Sequence, residues 1–159
     1  MVVPAADELW LDPIFDAVVS DVQASGYFEK VNQHEPKRKP GTGLWAAIWI
    51  TVIEPITGSG LSSTSARLEF NVRMYSNMLK EPQDGIDPQL MRAASSIMRR
   101  YHDDFDFGLT DEVRNVDLLG AWGKKLGLVT GYVEMDGTMF RIADLTVPVI
   151  VNDVWPQVN

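Results

Sequence analysis

Two segments repeat apolar residues at helical spacing. Ile14, Phe15, Val18, Val19 and Val22 share one face, behind Asp12 and Pro13 and ahead of Gly26. This predicts a one-sided helix from Asp12 to Ser25, with Asp12 as cap and Pro13 at the first helical position. Leu90, Met91, Ala94, Ile97, Met98 and Tyr101 repeat the pattern behind Asp87-Pro88. A turn at Pro82–Gly85 should precede this second helix, which should be capped by Asp87 and end near Asp103.

Between and after the helices the period changes to two. Ala66, Leu68, Phe70, Val72 and Met74 alternate with Arg67, Glu69, Asn71, Arg73 and Tyr75. That predicts a strand from Ser65 to Asn77 with one face on a core and the other polar and open. Leu44 to Glu54, with Trp45, Ile48, Trp49, Ile50, Val52 and Ile53, is apolar on both faces. Such a strand is central in its sheet or is covered on one face by another subunit, and Pro55 should stop it. Shorter strands are expected at Tyr27–Gln33 and Val113–Leu119. Leu126–Met135 and Thr138–Ile150 flank Asp136-Gly137, a hairpin signal. Pro148 implies that the last strand has an edge or ends there. Asp153–Asn159 reads as a tail carrying Trp155. The connections His34–Gly43 and Ile56–Thr64 are rich in proline, glycine and small polar residues. The fold class is therefore α+β: a single domain of two helices on a mixed or antiparallel sheet, ending in a β-hairpin.

Length and composition agree. The 159 residues are 45% hydrophobic and 23% charged, the make-up of one domain that buries a core. No internal repeat or long linker divides residues 1–159. With 14 basic and 22 acidic residues, the formal charge is −8, which is not the footprint of a non-specific nucleic-acid binder. The absence of cysteine excludes disulfides, thiolate zinc sites and cysteine nucleophiles. Asp7 and Glu8, with no basic stretch ahead of an apolar run, do not read as a secretory signal. The longest apolar run, Leu44–Ile53, is about half the length of a membrane-spanning helix. Folding in a cytoplasm-like compartment is the expectation.

Candidate chemistry is sparse. His102-Asp103-Asp104 with Asp106 is the densest acid–base or metal-like cluster, but neighbouring helix residues do not share a face. It reads as a solvated helix end. No Gly-x-Ser-x-Gly, dinucleotide fingerprint or phosphate loop occurs. Neither catalytic residues nor a cofactor or metal site is assigned. Lys37, Arg38 and Lys39 are the sole basic cluster and suit a protein contact better than phosphate. Trp45 and Trp49 share a strand face, in a core or at an interface. Trp155 should meet a neighbour or a folded-back tail.

Several stretches together resemble the tail terminator proteins of long-tailed bacteriophages. They are the early helix with Gly43-Leu-Trp-Ala-Ala-Ile-Trp-Ile50, and Ser59–Arg67 leading into Leu68-Glu-Phe-Asn-Val-Arg-Met-Tyr75. Ile86-Asp-Pro88 and the hairpin Gly131–Arg141 with Val147-Pro-Val149 complete the likeness, which spans most of the chain. The resemblance implies a virion structural protein of the neck, assembled in the host cytoplasm, with neither substrate nor cofactor. It implies a hexameric ring of identical subunits on the last ring of the tail tube. The ring ends tube polymerisation and joins the head connector, while DNA passes through the hole without sequence-specific binding. On this view the strands Ala66–Tyr75 and Leu44–Ile53 lie near the subunit edge, and Arg67, Glu69 and Arg73 offer polar pairs between subunits. The loops His34–Gly43 and Ile56–Thr64 meet tube or connector, and acidic groups lining the channel let DNA slide. A head-completion or head–tail joining protein, a tube or baseplate subunit, and a small cellular hydrolase or ligand-binding protein are the alternatives.

Overall fold

Burying two apolar stripes on one sheet face fixes the layers. The computed structural model describes residues 9–41, 43–58, 60–79 and 81–157. Asp7, Glu8, Thr42, Ser59, Val158 and Asn159, all within segments interpreted from sequence, lie outside them. The helices are α1 (Leu11–Ala24) and α2 (Ile86–Asp103). The strands are β1 (Lys30–Asn32), β2 (Trp45–Thr57), β3 (Ser63–Asn77), β4 (Val113–Val116), β5 (Gly127–Met135) and β6 (Thr138–Pro156). They form a six-stranded mixed sheet in the order β1-β2-β3-β6-β4, with β5 also paired to β6. The result is a single α+β domain with two helices on one face of the sheet.

Ile14, Val18 and Val22 of α1 and Leu90, Ala94, Ile97 and Tyr101 of α2 are buried against Leu68, Phe70, Val72, Leu145 and Val147. Phe15 meets Phe70 edge-on at 5.6 Å. Arg100 donates twice to Asp21 Oδ1, at 3.0 and 2.8 Å, tying the helices together. Neither proposed cap acts as one. α1 starts at Leu11 after Trp10, and α2 starts at Ile86 after a single 3-10 turn at Gln83–Gly85, both without a side-chain cap bond. Asp87 instead accepts from Arg141 Nε at 2.9 Å, across to β6. Gly26 closes α1 with φ +77, as a left-handed C-terminal glycine does.

The strand boundaries differ from expectation in informative ways. Tyr27–Gln33 contributes three paired residues only, and β1 runs parallel to the start of β2. A parallel partner needs a crossover of about a dozen residues, and residues 33–44 make that connection. Pro55 does not stop β2; it pairs with Ala66. β1 covers β2 only as far as Ala47, so Pro55 sits where β2 is an edge and a missing N–H is harmless. The expected loop Ile56–Thr64 correspondingly shrinks, with Thr57 and Thr64 paired. β4 is shorter than Val113–Leu119 because Asp117–Leu126 turns away to form a loop.

β6 continues past Ile150 to Pro156, so the expected tail is mostly strand. Pro148 is tolerated because it falls between the last β5 partner, Thr146, and the first β4 partner, Val149. Its carbonyl accepts from Asp117 N at 2.8 Å. Asp136 (φ +51) and Gly137 (φ +75) form the hairpin turn with two left-handed residues, the geometry that a two-residue loop requires. Trp155 packs edge-on against Trp10 at 5.8 Å, which answers the tail question in favour of an intrachain contact.

Candidate interaction surfaces

The second face of the sheet carries Trp45, Trp49, Arg67, Glu69 and Arg73, five of the residues singled out from sequence, and it is not the open polar face that alternation predicted. Register places Trp45, Tyr75 and Ile142 in one row, Ala47, Arg73 and Asp144 in the next, then Trp49, Asn71 and Thr146. At the first end, Tyr75, Phe140, Ile142 and Ala47 form a small second core, with Trp45, Trp49, Val133 and Met135 packed against it. Tyr75 and Phe140 meet edge-on at 6.3 Å. This cluster covers the second face of β2 at its start, where the strand also lies between β1 and β3. Burial pushes the Tyr75 hydroxyl above its ordinary pKa, partly offset by the nearby Arg73 cation.

Beyond the aromatic cluster, Arg73 forms a bidentate pair with Asp144, at 2.7 and 3.0 Å. Asn71 donates to the same carboxylate at 3.3 Å. The Arg73 guanidinium also lies over the Trp49 ring, at 5.5 Å, and 3.8 Å from Glu35. The Asp144 hydrogen bond raises the Arg73 pKa against the opposing effect of burial.

Further along β3, Arg67 and Glu69 are 3% and 7% exposed. Arg67 Nη1 donates to Glu69 at 3.0 Å and to Glu54 at 3.2 Å, and Nη2 donates to the Lys124 carbonyl at 3.2 Å. The expected solvent-facing residues thus pair within the chain, because the loop after β4 closes over them. Asp117 shapes that loop. It is buried, and its carboxylate accepts from the amides of Gly120, Ala121 and Trp122 at 2.8–3.0 Å. Gly123 approaches closely, since a Cβ there would stand 2.8 Å from Arg67 Nε.

Asp117, Asp144 and Glu54 were not singled out from sequence. Asp117-Leu-Leu-Gly120 carries a turn signal; Asp144 sits in an apolar run and gives no local cue.

The basic cluster lies at the same end as the aromatic one. Lys37, Arg38 and Lys39 are exposed and, with Lys30, His34 and Trp45, line a groove of about 370 Å³. Lys30 Nζ stands 5.1 Å from the Trp45 ring centroid. The loop is latched to the hairpin: Lys39 N donates to Asp136 at 3.2 Å and Lys39 Nζ to Thr138 Oγ1 at 3.5 Å. Together these contacts shape a cationic surface around an aromatic floor.

β5 supplies a different surface. It pairs with β6 alone among the described residues, and Val129, Tyr132 and the nearby Met139 are exposed. Arg141 lies over the Tyr132 ring at 4.6 Å. The His102 cluster does not converge. His102 Nδ1 lies 2.8 Å from the Met98 carbonyl, while Asp104 and Asp106 accept from the Gly108 amide at 3.2 and 3.0 Å. No family model matches this chain, and no curated protein matches its sequence.

Proposed function

We propose that this protein is a ring-forming structural subunit of a bacteriophage neck, a tail terminator that caps the tail tube and joins it to the head connector. The observation that carries the reading is the pair of open sheet borders on opposite sides of the domain. One is the outer edge of β5, with Val129 and Tyr132 exposed; the other is β2 beyond Ala47, which pairs with β3 alone among the described residues. A cyclic assembly joins one surface of a subunit to a different surface of the next, and an unpaired strand edge is a natural place for such a joint. The likeness of its strand and turn segments to tail terminators supplies the rest.

In this mechanism the subunits close into a ring, cover the interfaces that would recruit another tube ring, and present a different face to the connector. Partners are further copies of the chain, the tube protein and the connector. DNA is a passenger, and the net charge of −8 opposes its adhesion to the assembly.

The test is electron microscopy of particles from a phage whose copy of this gene is disrupted. Overlong, headless tubes are the expected result. Normal-length tails beside DNA-filled heads would move the protein to head completion or joining. Normal infectious particles would overturn a virion role.

A further inference from the structure

We infer that the basic groove formed by β1, the loop that follows it and Trp45 binds the acidic segment at the end of α2 in a second copy of the chain; this rests on the ring reading above. The groove concentrates Lys37, Arg38 and Lys39 beside Lys30, with the Trp45 ring as floor. The surrounding chain carries an excess of acid, and the complementary surface lies on the same molecule. Asp103, Asp111 and Glu112 are exposed where α2 ends and β4 begins. Beside them Phe105 is 50% exposed and Leu119 88% exposed, lining an apolar groove of about 310 Å³ with Val116 and Leu118. A cationic surface with an aromatic floor thus has a counterpart that is acidic and apolar.

The two surfaces do not meet within one chain. The groove sits where β2 starts, in the row Trp45, Tyr75 and Ile142; the acidic segment leads into Val113, which pairs with Val151. Along β6 the distance from Ile142 to Val151 is roughly 30 Å at strand rise. Complementary patches at opposite ends of one subunit make a heterologous contact, the kind that closes a ring. Exposed charges of this kind act within a Debye length of about 8 Å at physiological salt, so the contact should weaken as salt rises.

The test is charge exchange, read by native mass spectrometry and by light scattering at low and high salt. One variant carries Lys37→Glu, Arg38→Glu and Lys39→Glu; the other carries Asp103→Lys, Asp111→Lys and Glu112→Lys. Circular dichroism checks that each folds. Should either fail, the single exchanges Arg38→Glu and Glu112→Lys replace the triple ones.

Each variant alone should lose assembly by at least tenfold in concentration. An equal mixture, in which every groove meets an opposite charge, should recover it. Wild-type assembly with both variants assembling equally well would overturn this contact and leave the ring reading standing. Loss in the variants without recovery in the mixture would overturn the pairing of these two surfaces. A wild-type chain that stays monomeric at every concentration and salt would overturn both readings.

Discussion

Two arginines on one strand, six residues apart on the same face, behave differently. Arg67 and Glu69 are sealed beneath the loop after β4, with side-chain exposures of 4% and 9%. Arg73 and Asp144 stand more open, at 22% and 27%, beside the aromatic cluster. Their chemistry is the same, a guanidinium against a carboxylate. The difference is solvent: water screens the open pair and cannot reach the sealed one. Charges on a strand therefore carry no fixed energetic meaning; what folds over them sets it.

The largest expected effect is from Arg67→Ala, which leaves Glu69 buried without its main partner. It should cost about 3–5 kcal/mol in chemical denaturation. The double variant Arg67→Met with Glu69→Leu should recover most of that loss. If the double variant is as unstable as the single one, shape and not charge governs the site. Gly123→Ala attacks the same network from the loop side, because its Cβ would press on a guanidinium held by three acceptors. A loss of about 1–3 kcal/mol is expected. For the open pair, Arg73→Ala should cost about 1 kcal/mol, with a cost that shrinks in high salt. The Arg67 cost should barely respond to salt, and equal salt responses would break the comparison.

Tyr101, on the helix-covered face, sharpens the contrast between paired and unpaired burial. Its hydroxyl is buried with no hydrogen-bond partner among the described residues, and burial drives its pKa well above the ordinary value of 10.0. The unfolded chain loses this proton near pH 10 while the folded chain keeps it. Stability is therefore fully present below pH 10 and falls as pH rises beyond it. Tyr101→Phe should be near neutral at pH 7, and alkaline melting curves should show a shallower decline. A decline as steep as wild type would assign it to other groups, Tyr75 first among them. The smallest effect belongs to Arg99→Ala, at the exposed Arg99–Asp103 pair, 3.9 Å apart: less than about 0.5 kcal/mol in the same melts.

Much of this architecture was legible because it follows from local periodicity. The helical stripe around Val18 and the stripe around Ala94 each need a surface to bury them. The alternation around Phe70 provides that surface, and Asp136-Gly137 marks a hairpin turn that demands two left-handed residues. The candidate surfaces were legible only in part. Lys37, Arg38 and Lys39 announced an exposed basic loop by composition. Trp45 and Trp49 were correctly placed on one face, and Trp155, expected to meet a neighbour or a folded-back tail, meets Trp10 while staying 36% exposed. Arg67 and Glu69 were expected on an open face, because alternation distinguishes the faces of a strand but does not tell whether a distant segment closes over one of them.

The sequence by itself determined which side chains of the two helices and of β3 face the helix-covered core, and where the helices and the hairpin form, since each depends on spacing over a few residues. The tertiary structure alone decided that Pro55 and Pro148 remain inside strands, because the absence of a neighbouring strand is a property of the sheet and not of the proline. It also decided that Asp144 meets Arg73 across 71 positions of chain and that Asp117 holds the loop sealing Arg67. Ion pairs between distant segments leave no periodic trace; their partners become neighbours only when the sheet assembles.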